Sequence, residues 1–247
     1  MNIVDSHVHL GAAPSARARG SIPSSFLAEA LIDSMDRNGI KKSVIFAYGR
    51  LLNESNKHNM TVYNAVSKYP ERFVGFVRPN PWYEDSVKDI DLFVGELGFK
   101  GIKLHSGMES FPVNARIVNT ILEKASQYKI PVLIDGNPAL IGDWADEFPE
   151  VTFIIPHMAG RSYQTAFFVA KKCENVMLET SVNSWTHRIL RSAVDLLGPD
   201  RILWGSDTPF HTPEVELKKV EMSKLTDTEK EMILWKNVCR LLKIDCK

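Results

Sequence analysis

The sequence has little cysteine, no net charge and no long apolar run. Its 30 basic and 30 acidic residues leave none of the basic excess that binds nucleic acid. No run approaches the roughly 18 apolar residues of a membrane span, and the first residues lack the basic and apolar segments of a signal peptide. The three cysteines, Cys173, Cys239 and Cys246, form no metal-type pair and predict free thiols in a cytoplasmic protein. We therefore expect no nucleic-acid or membrane partner, while a homo-oligomer remains open.

Short apolar runs that favour β-structure recur along the chain, with helical stretches between them. The eight predicted strands cover residues 3–10, 43–48, 73–78, 101–105, 131–135, 152–157, 176–180 and 202–206. Several are apolar on both faces, which is typical of parallel strands covered by helices. Eight βα units in 247 residues predict a distorted (β/α)₈ TIM barrel, as a single domain over residues 1–247. A doubly wound sheet is the alternative, but no Gly-x-Gly-x-x-Gly turn follows the first strand.

Two segments outside these strands have recognisable signals. Thr226, with Glu229 three residues later, is a capping box and predicts the start of a C-terminal helix. The segment 11–25, rich in Gly, Pro and Ser, follows the first strand. In a barrel, such a loop lies on the face that carries the active site.

His7 and His9 lie at the end of the first predicted strand. Residues two apart on a strand point to the same side, so both imidazoles can face the barrel interior. Imidazole suits zinc and other first-row metals. A His-x-His pair also occurs by chance, but its position at a strand end favours a metal site.

Asp207 follows the eighth predicted strand and precedes Thr208 and Pro209. An isolated aspartate at such a place often caps a turn. In a barrel, an acid at the C-terminal end of a strand is typical of catalysis. Because the eighth strand closes the barrel beside the first, we expect Asp207 to lie next to His7 and His9.

Several motifs, in one order along nearly the whole chain, resemble the amidohydrolase superfamily, in its amidohydrolase-related branch of hydrolases and decarboxylases. They are Asp-Ser-His-Val-His at 5–9, Gly-Phe-Lys-Gly-Ile-Lys-Leu-His at 98–105, Pro-Val-Leu-Ile at 131–134, Ile-Pro-His-Met-Ala-Gly at 155–160, Arg-Ile-Leu-Trp-Gly-Ser-Asp-Thr-Pro-Phe at 201–210 and Asn-Val-Cys-Arg-Leu-Leu at 237–242. The resemblance implies one divalent metal ion, zinc before manganese or magnesium, that activates water.

The resemblance also implies residue roles. His7 and His9 would hold the metal, and Asp207 would touch the metal and take the proton of the attacking water. His157 would bind the metal or polarise the substrate. The family usually has a histidine after the fifth strand, where this chain has Asp135. Asp135 would complete a harder site of two His and two Asp, or would orient a neighbouring histidine.

Two further residues, His105 and Arg78, are candidates for binding the substrate. His105 ends the fourth strand and is either a substrate contact or a structural, hydrogen-bonded histidine. Lys103 lies two residues earlier, and the resemblance suggests a different role for it, because some relatives use a carboxylated lysine from this strand to bridge two metals. Arg78 ends the third strand and could clamp a substrate carboxylate, or could pair with Glu84 or Asp85 instead.

These residues predict a hydrolase that breaks a C–N or C–O bond in an amide, lactone or ester, on a small molecule that carries a carboxylate. Metal-dependent decarboxylation on the same barrel is the first alternative. A barrel that binds a ligand without turning it over is another, although the retention of His157 and Asp207 counts against it. A metal-dependent nuclease is disfavoured by the neutral charge.

Overall fold

A computed structural model describes residues 2–12, 25–48, 55–112, 115–183 and 186–246. The strands in these ranges are β1 Val4–Ala12, β2 Ser25–Phe26, β3 Lys42–Ala47, β4 Phe73–Val77, β5 Gly101–His105, β6 Val132–Asp135, β7 Phe153–Ile155, β8 Val176–Glu179 and β9 Ile202–Leu203. Strand β1 and strands β3 to β9 are parallel and lie side by side in chain order. They correspond one to one to the eight predicted strands. The short β2 pairs antiparallel with the end of β1, and residues 13–24 of the predicted loop lie outside the described residues.

Helices fill the connections between the strands. They are α1 Ala28–Arg37, α2 Ser55–Lys68, α3 Ser86–Ile90, α4 Ser106–Glu109, α5 Asn119–Tyr128, α6 Pro138–Glu147, α7 Tyr163–Lys172, α8 Thr186–Leu197, α9 Pro213–Glu221, α10 Asp227–Glu231 and α11 Asn237–Leu242. The predicted capping box is confirmed, because Thr226 Oγ1 accepts from the Glu229 amide at 3.3 Å and Glu229 Oε2 accepts from the Thr226 amide at 2.8 Å. No helix in the described ranges is long and apolar enough to cross a membrane.

The barrel closes between its first strand and the segment after its last one. The Ser6 amide donates to the Trp204 carbonyl at 3.1 Å, and the His9 amide donates to the Thr208 carbonyl at 2.8 Å. The eight parallel strands with helices between them form the predicted TIM barrel. Closure brings the end of β1 against residues 204–208. The predicted site needs this contact, because it places Asp207 beside His7 and His9.

Two apolar layers fill the molecule. The outer layer lies between strands and helices, whereas the inner layer combines inward-facing strand residues such as Val44, Leu133 and Leu203 with Val238 and Leu242 of α11. Helix α11 therefore packs against the inward-facing side chains of the barrel, where it completes the core. The inner layer is apolar, so the polar chemistry is confined to the other end of the strands.

Two of the three cysteines are joined. Cys239 of α11 and Cys246 form a disulfide, with their Cα atoms 6.2 Å apart, and Cys173 is a buried free thiol. The prediction of three free thiols is therefore wrong for this pair. The physical reason is that the chain turns back at Lys243, whose backbone is left-handed, and this turn brings the tail against α11.

Candidate metal centre and active site

A change of register in β1 aims its two histidines into the barrel. The pairing of β1 with β3 is irregular between Asp5 and Val8, and such an irregularity shifts which side chains face inward. Val8 and Leu10 pack in the outer layer. His7 and His9 alternate with them and face the interior, where they are 0% and 3% exposed.

Asp207 meets both histidines at one carboxylate oxygen. Its Oδ1 lies 3.1 Å from His9 Nε2 and 3.3 Å from His7 Nε2. The Asp207 amide donates to the His7 carbonyl at 2.9 Å, which fixes the backbone across the closure. Asp207 has a φ of +59°, and a non-glycine residue in this left-handed region is strained and often functional. The structure thus brings together the three residues that the sequence predicted as neighbours.

The charges in this cluster suit a metal ion. Burial lowers the pKa of His9 to about 4 and lowers that of His7 well below its usual value, so both rings are neutral near pH 7. Burial alone would raise the pKa of Asp207, but the hydrogen bond with His9 and nearby cationic groups lower it. Neutral imidazoles beside an ionised carboxylate are the protonation states that metal ligands need.

The donor atoms also fit a metal ion geometrically. One ligand atom from each of His7, His9 and Asp207 lies within 4.8 Å of the other two. His7 Nε2 is buried and makes no hydrogen bond with acceptable geometry, despite its nearness to Asp207. A buried neutral nitrogen that faces a carboxylate without bonding to it is the kind of atom that a metal ion satisfies.

Glu179, at the end of β8, is a part of this centre that the sequence reasoning missed. Its Oε2 lies 3.0 Å from His7 Nδ1 and accepts from Ser181 Oγ at 2.8 Å. Its Oε1 accepts from the Ser181 amide at 2.5 Å, and burial raises the pKa of the Glu179 carboxyl. The signal was available: an acid ends an otherwise apolar strand and alternates with Leu178, which packs outward.

His157 and Asp135 form a second polar group beside the metal centre. His157 Nε2 lies 3.1 Å from Asp135 Oδ2, and His157 Nδ1 lies 2.8 Å from Ser181 Oγ. The His157 ring stacks on His7 with centroids 5.0 Å apart. One donor atom each from His7, His157 and Glu179 also lies within 4.8 Å of the others, whereas Asp135 belongs to neither convergent set among the described residues. In this arrangement Asp135 contacts a histidine rather than the set formed by His7, His9 and Asp207.

The Asp135–His157 pair favours the charged form of each partner. Burial alone would lower the pKa of His157, but the hydrogen bond with Asp135 and the nearby carboxylates raise it. Burial alone would raise the pKa of Asp135, but the bond with His157 and the charge of Lys103 lower it. The pair therefore favours a protonated His157 ring next to the neutral metal-facing imidazoles.

His105 reaches the same cavity from the end of β5. Its Nδ1 accepts from the Met108 amide at 3.2 Å, so the proton of the neutral ring is on Nε2. That nitrogen lies 3.6 Å from Asp135 Oδ2. Burial lowers the pKa of His105 to about 4, which makes the ring a neutral hydrogen-bond donor at the cavity wall.

Arg78, the predicted carboxylate clamp, is fully buried and does not line this cavity. Its Nη2 donates to Glu109 Oε1 at 2.5 Å, and its Nη1 donates to the Ala47 carbonyl at 2.9 Å. Its acidic partner is thus Glu109 of α4, not Glu84 or Asp85. These contacts engage both terminal nitrogens of the guanidinium, whereas Nε has no hydrogen-bond partner among the described residues.

The cavity that joins these groups has a volume of about 270 Å³. It is lined by His7, His9, Lys103, His105, Met108, Asp135, His157, Asp207, Phe210 and His211. The lining consists mostly of ionisable side chains with a few apolar ones, in contrast to the mainly apolar lining of most small-molecule pockets. His211 reaches the cavity because the chain turns after Asp207, where the His211 amide donates to the Asp207 carbonyl at 3.3 Å.

Residues 4–244 match the family model described as Amidohydrolase. The chain belongs to the amidohydrolase family. This agrees with the resemblance drawn from the sequence motifs, and the barrel is the enzyme scaffold of that family. No curated protein sequence matches the chain.

Several solved structures share the fold. A 2,6-dihydroxybenzoate decarboxylase from Rhizobium has 15% identity and a TM-score of 0.80, covering 98% of this chain and 99% of its own. A 5-carboxyvanillate decarboxylase from Sphingomonas paucimobilis has 14% identity and a TM-score of 0.79, covering 99% of each chain. A dihydroxybenzoic acid decarboxylase from Polaromonas, solved with manganese and 2-nitroresorcinol, has 18% identity and a TM-score of 0.78, covering 98% of this chain and 97% of its own. At these identities the likeness establishes the fold alone.

Proposed function

We propose that this chain is a metal-dependent hydrolase that breaks a C–N or C–O bond in a small molecule bearing a carboxylate. The observation that carries the proposal is the convergence of His7 Nε2 and His9 Nε2 on one oxygen of Asp207. These residues would hold one divalent ion, for which zinc and manganese suit the mixed imidazole and carboxylate donors better than magnesium does. Such an ion lowers the pKa of water and polarises a carbonyl oxygen.

Asp207 would act as the general base. Its pKa is lowered, so it is ionised and able to accept a proton from the attacking water. It also lines the cavity in which a substrate would lie. A positioned base of this kind typically contributes about 10²–10⁴-fold to the rate.

His157 would supply the positive charge and proton that the leaving group needs. Its ring is held from both nitrogens, by Asp135 and by Ser181, and its raised pKa favours the protonated form. His105 would donate a hydrogen bond to the substrate from Nε2, because its Nδ1 is already an acceptor. Asp135 would act chiefly by orienting His157, with direct metal contact as the alternative.

Decarboxylation is the second candidate, and one specific observation favours it. Three solved proteins that share nearly the full length of this barrel are named as decarboxylases of aromatic acids. The same centre could bind such an acid, with Asp207 carrying the proton to carbon instead of away from water. The two reactions differ in their products, which makes them separable by experiment.

The test begins with the metal. Protein purified without chelator should hold close to one equivalent of zinc or manganese, and the double variant His7→Ala/His9→Ala should hold little. The loaded protein is then given lactones, amides, esters and aromatic acids in H₂¹⁸O. Hydrolysis places ¹⁸O in the product acid, which is the result we expect. Release of CO₂ without ¹⁸O in the remaining organic product would establish the decarboxylase instead, and metal binding without any turnover would favour a ligand-binding barrel.

A further inference from the structure

Lys103 is a charged residue of the cavity that has no part in the proposed mechanism. It lies on β5 between Ile102 and Leu104, which both pack in the outer layer, so its side chain faces the barrel interior with that of His105. It is 0% exposed, and its Nζ has no hydrogen-bond partner in the described part of the chain. The Nζ atom lies over the ring of Phe46, 5.1 Å from the ring centroid.

A buried ammonium without a hydrogen-bond acceptor is costly to the fold. Burial of an unpaired charge disfavours the folded state and lowers the pKa of the amine, and burial is the largest influence on the pKa of Lys103. The carboxylates of Asp135 and Asp207 act in the opposite direction, but neither forms a hydrogen bond with Nζ. A methionine would fill the same space without this cost in stability. We therefore expect that a ligand supplies the hydrogen-bond acceptor that the ammonium lacks within the protein.

We propose that Lys103 binds the carboxylate of the substrate and so makes small monocarboxylic acids the preferred ligands of this cavity. The inference rests on the proposed function, because the same cavity contains the metal centre. Lys103 would thus have the carboxylate-binding role that the sequence predicted for Arg78. The guanidinium of Arg78 forms an ion pair with Glu109 instead. A lysine acts here as a point charge with three donors, and a carboxylate supplies the acceptors that it lacks.

A different role for Lys103 would be to balance the carboxylates around the metal centre. In that role its loss would weaken metal binding and would affect charged and neutral ligands alike. An anion-binding role predicts a selective effect on charged ligands. The two roles therefore separate when a charged probe and a neutral probe of the same shape are compared.

The experiment uses manganese-loaded protein and calorimetric titration with benzoate and with benzamide. Wild type is compared with Lys103→Met and with the control Lys100→Met, which removes an exposed lysine just before the same strand. We expect the benzoate Kd to rise about tenfold or more in Lys103→Met, since a charge-assisted hydrogen bond is lost. The benzamide Kd, the metal content and the behaviour of Lys100→Met should stay as in wild type, and the Tm of Lys103→Met should not fall.

The proposal is overturned if benzoate binds Lys103→Met as it binds wild type. It is also overturned if both probes weaken equally or metal is lost, or if wild type does not bind benzoate. The experiment can refute this proposal without refuting the proposed function, and the reverse. Selective benzoate binding in a protein that hydrolyses nothing supports the anion site alone, whereas hydrolysis of acidic and neutral substrates that Lys103→Met leaves equally unchanged supports the hydrolase alone.

Discussion

His7 Nδ1 lies 3.0 Å from Glu179 Oε2, while the opposite nitrogen of the same ring faces Asp207. A carboxylate on one nitrogen of a histidine fixes the tautomer and frees the other nitrogen to bind a metal. Glu179 is itself held by the amide and the hydroxyl of Ser181, and Ser181 also contacts His157. Glu179 thereby orients the metal-facing ring of His7 and is connected through Ser181 to the ring of His157.

The first prediction concerns Glu179. Glu179→Gln should weaken metal affinity by about 10–100-fold, which is the usual effect of losing a carboxylate that supports a metal-binding histidine. Affinity is measured by competition with a chelating dye. Glu174→Gln, an exposed acid just before the same strand, is the matched control and should bind metal like wild type. An unchanged metal affinity in Glu179→Gln would show that Glu179 does not support the metal site.

The buried ion pair of Arg78 and Glu109 leads to a prediction about stability. Both side chains are 0% exposed, so Arg78→Met would leave an acid buried without its partner, at a cost of about 3–5 kcal/mol in the free energy of unfolding. The double variant Arg78→Met/Glu109→Leu should recover most of this loss, because no unpaired charge remains. Urea unfolding measures both. A stable Arg78→Met with a raised KM for acidic substrates alone would instead support the carboxylate clamp.

The Asp135–His157 pair predicts a pH dependence of stability in metal-free protein. The pKa of His157 is raised above its ordinary 6.5, so its contribution is complete below about pH 6.5 and is lost as the pH rises through the folded value. The pKa of Asp135 is lowered below its ordinary 3.8, so its contribution is present above about pH 4 and is lost in stronger acid. The pair therefore stabilises the fold most near pH 5.

Urea unfolding of chelator-treated protein at pH 5, 7 and 9 checks this expectation. The excess stability of wild type over Asp135→Asn should be largest at pH 5 and should shrink by pH 9. Asp143→Asn removes an exposed acid of α6 and should show no such trend. A difference between wild type and Asp135→Asn that is constant across this range would mean that the two groups do not titrate as a pair.

The parts of the site that the sequence predicted are those that follow from strand period and barrel closure. His7 and His9 are two apart on one strand, and Asp207 follows the strand that closes the barrel beside them, so their meeting needs only the topology. Contacts that depend on the paths of loops and turns were not predictable in this way. Glu109 reaches Arg78 from a short helix 31 residues away, and Cys246 reaches Cys239 through a left-handed turn. Glu179 was missed because its strand is apolar on both faces, so the direction of the acid becomes clear only when Leu178 is seen to pack outward.

The last prediction concerns Asp207, on which both candidate reactions depend. Asp207→Asn keeps the size of the side chain but cannot accept a proton, so turnover at saturating metal should fall by about 10²–10⁴-fold. Thermal unfolding should show that the variant is folded, and metal titration should show that loss of one anionic ligand weakens binding without abolishing it, because His7 and His9 remain. Asp143→Asn is the control for a neutralised aspartate away from the cavity and should keep full activity. If Asp207→Asn, once saturated with metal, turns over substrate at the wild-type rate, another group handles the proton, and His157, next to the same centre, becomes the residue to test.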